Sequence, residues 1–223
     1  MKLTTLCFIG LLLSACALAQ QPVQRSCEPW KAVYAGNDAT GKHVIACWQF
    51  AAGTEMNDSS ANKLDVKLQG AAIAKDGRFG PCLESFCGHP VEDKRHAAVA
   101  ASKPALSPKG AFTIEMWIKP KKELANYPEA FLLDKKYVAH SDYQVTLSAA
   151  DKGGLRRLVA NLGFGDESER WTSEPAKYET GTWYHVAFTY DGAGDGRFWR
   201  DGTALGGVKK PGRAAITPGK HPL

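Results

Sequence analysis

Thr182-Trp183-Tyr184-His185-Val186-Ala187-Phe188-Thr189-Tyr190-Asp191-Gly192 is the stretch that decides the fold. Aromatic and β-branched residues suit a pleated, half-buried surface, and Asp-Gly is a strong turn signal. A second run, Arg197-Phe198-Trp199-Arg200, follows closely and is stopped by Asp201-Gly202. Two such runs with a short Gly-rich connection predict a β-hairpin. Upstream, Phe112-Thr113-Ile114-Glu115-Met116-Trp117-Ile118-Lys119-Pro120 alternates. Phe112, Ile114, Met116 and Ile118 take one face; Thr113, Glu115, Trp117 and Lys119 take the other. A period of two means a sheet with one packed face and one at least partly wet. These segments predict an all-β protein and favour a surface that binds over a site that does chemistry.

Working outward, Val44-Ile45-Ala46-Cys47-Trp48-Gln49-Phe50 reads as the first strand. Shorter strands are expected at 64–68, 82–86, 97–101, 131–135, 143–147 and 155–162. Residues 70–81 read as turns and 166–169 as an acidic loop. Strands recur about every dozen residues with turn signals between them, and no segment carries sustained helical periodicity. That pattern predicts an antiparallel sandwich.

The chain has 223 residues, 44% hydrophobic and 23% charged, with a net charge of +5. These are ordinary globular values. The basic residues are scattered, with a mild cluster at Lys209, Lys210, Arg213 and Lys220. A nucleic-acid partner would want a dense basic stripe and a recognisable module, and neither is present. Lys2 followed by an apolar run at 6–13 and Ala17-Leu18-Ala19 reads as an export signal. Release after Ala19 is the favoured cleavage. Leu13-Ser14-Ala15-Cys16 also resembles a lipobox, in which Cys16 would carry a lipid anchor, the sole expected tie to a membrane. Residues 1–19 are thus the leader and 20–43 a polar lead-in. The mature chain is expected in a secreted or periplasmic location, or lipid-anchored in the envelope.

Four cysteines follow the leader: Cys27, Cys47, Cys82 and Cys87. An even count in an exported chain suggests two disulfides. Three pairings are open; Cys27–Cys47 with Cys82–Cys87 is the favoured set, provided residues 83–86 bend.

Together these motifs resemble the laminin-G-like jelly-roll domains of the concanavalin A-like lectin/glucanase superfamily. The resemblance rests on Ala46-Cys47-Trp48-Gln49-Phe50, on Asn57-Asp58-Ser59-Ser60-Ala61-Asn62, on residues 112–120 and on the hairpin of 183–202, in the family's order. It spans residues 44–223. It implies two curved antiparallel sheets packed face to face and extracytoplasmic binding of glycans, or sometimes of proteins. Family members continue after a segment like 216–223 with an Ile-Gly strand and a closing strand containing Asp-Glu. The last strands are therefore expected to be missing here, leaving an unpaired edge, which is a template for association.

The resemblance also implies calcium as the ion to consider, with Asp58 and Asn62 as the candidate ligands. Two side chains fall short of the several oxygens a hard cation wants, and a simple turn cap is the competing reading. Aromatic rings near loops, Trp171, Tyr178 and Trp199, are the candidates for stacking on a sugar, against core packing as the alternative. A glycoside hydrolase would place two carboxylates across the scissile bond. Glu115 stands alone on its strand, while Glu167 and Glu169 alternate but sit in a polar loop. His185 has no nucleophile partner in a recognisable motif. The expectation is an exported, non-enzymatic module that recognises glycans or extracellular proteins. A glucanase-type hydrolase and a purely structural or adhesive envelope domain are the rivals.

Overall fold

The computed structural model describes residues 43–85 and 97–223. Among them are twelve strands: β1 (Val66–Gln69), β2 (Ala72–Gly77), β3 (Gly80–Glu84), β4 (Ala97–Ala100), β5 (Phe112–Ile118), β6 (Ala130–Asp134), β7 (Tyr143–Leu147), β8 (Leu158–Gly163), β9 (Ser168–Thr172), β10 (Tyr184–Tyr190), β11 (Asp195–Arg200) and β12 (Thr203–Lys209). Two four-stranded antiparallel sheets, β12-β11-β10-β5 and β6-β7-β8-β9, form the body. Two antiparallel pairs, β1-β4 and β2-β3, accompany them. No described helix is long and apolar enough to cross a membrane.

The alternation in the sequence decides which faces meet. Val186, Phe188 and Tyr190 of β10 and Phe198 of β11 point inward against Leu147, Leu158, Ala160 and Leu162 of the facing sheet. Phe112, Ile114, Met116 and Ile118 join this core from β5, as their period of two requires. Trp171 of β9 staples the two sheets. It is fully buried, stacks edge-on to Tyr190, and its indole N–H donates to the carbonyls of Val208 at 3.0 Å and Gly194 at 3.3 Å. Gly196 of β11 makes room for that indole, since any side chain there would run into the ring.

A smaller cluster, Leu64, Val66, Ala100 and Leu106, packs with Trp48, Phe50 and Met56 beneath the β1-β4 pair. The segment 216–223 joins this cluster to the sandwich. Thr217 exchanges backbone hydrogen bonds with Asp142 and Gly163, and Leu223 pairs reciprocally with Ala100. Beneath it Lys135 and Asp142 form a fully buried ion pair at 2.9 Å. Lys135 also donates to the His221 carbonyl at 3.0 Å, while the same Asp142 oxygen accepts from the Gly219 N–H at 2.8 Å.

Three expectations change. Residues 44–50 form no regular strand; a single bridge joins Trp48 to Asp58. A run rich in aromatic and β-branched residues becomes a strand only where a neighbouring backbone takes its hydrogen bonds. Within the supposed turn region 70–81, β2 pairs with β3. The supposed acidic loop runs straight into β9, and β12 follows Asp201-Gly202 through Gly206 and Gly207, both at positive φ. Gly-rich strands escape propensity because Gly packs no side chain, yet Gly is what this irregular β11-β12 ladder uses.

Candidate binding surface

The three aromatic candidates fall in different places. Trp171 is 0% exposed and serves the core as described. Tyr178 is 8% exposed and packs edge-on against Tyr184, with the Arg200 guanidinium over its ring. Burial pushes its hydroxyl up to about 12. Neither has an open ring face, so the expectation that these two stack on a sugar is corrected. Both sit on inward positions that loop proximity in the sequence concealed. Trp199 alone of the three is open, at 37% exposure.

The candidate calcium loop carries a dense set of internal hydrogen bonds. Asp58 is buried, and its carboxylate accepts four hydrogen bonds: Cys47 N–H at 2.8 Å and Ser60 N–H at 2.9 Å on Oδ1, and Ser60 Oγ at 2.6 Å and Leu64 N–H at 2.8 Å on Oδ2. Every lone pair of Asp58 is thus committed to a donor, which leaves none for a cation. Burial opposes its ionisation, but the Ser60 hydroxyl and the three backbone N–H groups outweigh it and hold the carboxyl below its ordinary range. Asn62 donates its Nδ2 to the Ile45 carbonyl at 2.8 Å. The loop is a clip that ties residues 45–47 to residue 64. No group of three or more His, Cys, Asp or Glu side chains suited to a metal occurs among the described residues. Cys47 and Cys82 are not bonded to each other. Cys16, Cys27 and Cys87 lie outside the described residues.

Trp199 belongs to an arrangement that register reveals. On the outer face of the β12-β11-β10-β5 sheet, Trp199, Ala187 and Glu115 lie side by side on β11, β10 and β5. The next rows are Arg197, Thr189 and Thr113 on one side, and His185 with Trp117 on the other. Two strand spacings separate the backbones of Trp199 and Glu115, roughly 10 Å. Ala187 between them is the shortest side chain of the row, so the face dips there. The indole N–H of Trp199 leans to Thr189 Oγ1 at 3.4 Å. His185 Nε2 lies 3.4 Å from the exposed Glu115 Oε2, and this bond holds the Glu115 carboxyl below its ordinary range. Trp117 stacks beside His185 at 5.2 Å and under the Arg78 guanidinium at 4.0 Å. The platform therefore offers a ring, hydroxyls, a carboxylate and an imidazole in neighbouring rows of one sheet face. Sequence reasoning singled out Trp199 and Glu115 separately. Pairing the alternation of residues 112–119 with that of 184–190 is the signal that brings them together.

A cleft of about 2380 Å³ runs beside β5. Ile114, Met116, Leu132 and Leu133 line it, as do Ile45, Cys47 and Trp48. Among the described strands, β5 and β6 are the last of their sheets on this side. Ile114, Met116, Leu132 and Leu133 are accordingly half-buried, whereas their counterparts on β8 and β10 are buried.

The profile of a laminin-G-like family, described as the concanavalin A-like lectin/glucanases superfamily, matches residues 93–223. The chain belongs to that superfamily. No curated protein sequence matches this laminin-G-like chain. Among solved structures, it is similar to the binding domain of Paraclostridial mosquitocidal protein 1, with a TM-score of 0.55, 15% identity, and coverage of 74% of this chain and 40% of that one. The botulinum neurotoxin serotype C1 binding domain gives 0.53, 16%, 72% and 38% for the same quantities. The binding domain of botulinum neurotoxin DC in complex with rat synaptotagmin II gives 0.53, 15%, 74% and 40%. These likenesses concern the fold, and the laminin-G-like chain spans about two-fifths of the length of each.

Because the superfamily includes glucanases, the carboxylates deserve a chemical test. A general acid in a glycosidase keeps a raised pKa. Glu169 accepts from Lys210 Nζ at 2.6 Å and Arg213 Nη2 at 2.6 Å, and these bonds hold it below its ordinary range. Glu167 is held by Arg213 Nη1 at 2.5 Å. Glu115 is likewise held low by His185. The three carboxylates are employed in ion pairs and hydrogen bonds, an arrangement opposite to that of an acid waiting to protonate a leaving group.

Proposed function

We propose that this chain is a non-catalytic binding module of the extracytoplasmic space, and that it holds a glycan on the outer face of the β12-β11-β10-β5 sheet. The observation that carries the reading is the exposed Trp199 indole beside the dip at Ala187, faced by Glu115 across the sheet. A sugar presents an apolar C–H face and a rim of hydroxyls. The indole takes the first by stacking, while Glu115, Thr189 and His185 supply acceptors and donors for the second. The leader at residues 1–19 supports a site of action outside the cytoplasm. A botulinum neurotoxin DC binding domain has been solved in complex with SialylT, and another with rat synaptotagmin II. The fold class thus hosts glycan and protein ligands alike, and the polar, ring-bearing platform favours the glycan.

The test is a glycan array followed by calorimetry on the wild-type chain and on Trp199→Ala. Loss of one stacking partner, about 1.4 kcal/mol or more, weakens binding by roughly tenfold or more. The melting temperature should hardly move, because the ring is a surface group. Array silence for the wild type, or binding that survives Trp199→Ala undiminished, overturns the proposal. Appearance of cleaved glycan products overturns its non-catalytic part.

A further inference from the structure

The turn that joins β6 to β7 displays apolar side chains where a turn normally displays polar ones. Tyr137 is 61% exposed and Val138 76%, the highest values among the large hydrophobic side chains of the described residues. Tyr137 also holds φ at +50°, a left-handed backbone that a bulky residue rarely adopts. Strain kept at an exposed turn is a pointer to function. We propose that this turn is a membrane-docking tip, which sets Tyr137 and Val138 into the interface of a bilayer that contains anionic phospholipid.

The turn is braced from within. The Ala139 N–H donates to the Lys136 carbonyl at 3.0 Å, so residues 136–139 form a β-turn with Tyr137 and Val138 at its two corners. Asp134 Oδ1 accepts the N–H groups of Lys136 at 3.0 Å and of Tyr137 at 2.8 Å. The Lys136 ammonium turns back to donate to the Ala139 carbonyl, and the residue is buried. The apolar pair therefore projects from an ordered support, and a group that is already ordered loses little freedom on docking.

Charge names the partner. Lys135 is matched by the buried Asp142, and Lys136 by the nearby Asp134. Two further segments meet the foot of the turn, because Lys135 Nζ also donates to the His221 carbonyl at 3.0 Å and to Ser102 Oγ at 3.4 Å. The His221 ring lies 5.8 Å from that of Tyr137. Next to these contacts stand Lys220 and Lys103, both exposed and both without an acidic partner among the described residues. An apolar tip with surplus cations at its foot matches an anionic lipid surface. The aliphatic side chain enters the acyl boundary, the tyrosine sits at headgroup level and the lysines face the phosphates. A protein partner fits less well. A stable protein interface buries about 1,200–2,000 Å², and a turn with two apolar side chains supplies no core for that area. The proposal is independent of the glycan platform, which lies on the other large sheet.

The test is cosedimentation of the full chain with vesicles of phosphatidylcholine, alone or mixed with phosphatidylglycerol, together with hydrogen exchange of residues 136–140. Residues 1–19 are common to every variant, so differences between variants report the turn. On mixed vesicles, exchange at 136–140 should slow while that of β11 stays the same. Tyr137→Asn with Val138→Ser removes the apolar pair, and asparagine tolerates the left-handed backbone. This variant should weaken partition to mixed vesicles by about tenfold or more, abolish the slowing, and keep or raise the melting temperature. Lys103→Gln with Lys220→Gln should weaken partition about fivefold for each charge removed. If the tip variant unfolds, the unmodified chain and the lysine pair decide. No slowing at 136–140 on mixed vesicles overturns the proposal, whether the turn is idle or docks on a protein. Slowing and partition undiminished in the tip variant overturn it too. Slowing that the lysine pair leaves at full strength overturns anionic lipid as the partner.

Discussion

Asp58→Asn is the sharpest probe of how this fold is held. The carboxylate gathers Cys47, Ser60 and Leu64 around four hydrogen bonds of 2.6–2.9 Å. It is the chief tie between residues 45–47 and the smaller core. Asparagine of nearly equal size keeps Oδ1, and with it the Cys47 and Ser60 N–H bonds. Its amide nitrogen then faces the Leu64 N–H, donor against donor, and the Ser60 hydroxyl must turn to accept. One charge-assisted bond is lost outright, one is weakened, and a buried N–H is left without an acceptor. Hydrogen bonds to charged groups are worth about 1.5–3 kcal/mol, and an orphaned buried donor costs about 1–3 kcal/mol. Allowing for overlap between these terms, the expected loss at pH 7 is about 2–3 kcal/mol. For a domain of this size that lowers the melting temperature by about 5–10 °C.

The charge gives this prediction a second axis. The folded-state pKa of Asp58 lies below its ordinary value. Its contribution is therefore fully present above the unfolded value, about 3.9, and is lost as pH falls through the lower folded value. Asparagine carries no such dependence. Urea unfolding of both proteins between pH 7 and pH 2 should show a gap that is constant above about pH 5 and narrows under acid. A gap below about 0.5 kcal/mol at pH 7, or one that does not narrow in acid, would refute the reading of Asp58 as a saturated anionic clip.

Other expectations follow from particular contacts. Lys135→Met strands the buried Asp142 carboxylate and should cost about 3–5 kcal/mol in urea unfolding; adding Asp142→Asn should recover part of it, and strictly additive losses would contradict the ion pair. Gly196→Ala should destabilise by about 1–3 kcal/mol through overpacking against Trp171, seen as a lower melting temperature and altered indole fluorescence; a neutral result would mean the ring is not lodged there. Because Asp58 has no free lone pair, chelator and added calcium should leave the melting temperature unchanged. A calcium-dependent rise that Asp58→Asn abolishes would show that the loop rearranges to admit the ion.

Period-two alternation in the sequence settles the all-β class of this protein and the two faces of β5. It works because side chains alternate across a pleat regardless of what the strand later pairs with. The same local rule failed for β2, a short run of small and charged residues that ends at Gly77, for β12, whose Gly206-Gly207 pair carries no packing signal, and for residues 44–50, whose strand character depends on a neighbouring backbone. Burial of Trp171 and Tyr178 was likewise beyond a local reading. A ring near a loop in sequence can still stand on the inward side of its sheet, as the 0% exposure of Trp171 shows. The outer-face platform is intermediate: Trp199, Glu115 and His185 each stand out in the sequence, but hydrogen-bonded register alone puts them in adjacent rows. Asp58 is the clearest division. Its loop reads equally as a cation site or as a turn cap, and the two differ solely in whether four donors converge on one carboxylate. That convergence joins backbone groups 2 to 11 residues away from Asp58, so it exists only once the chain has closed around it.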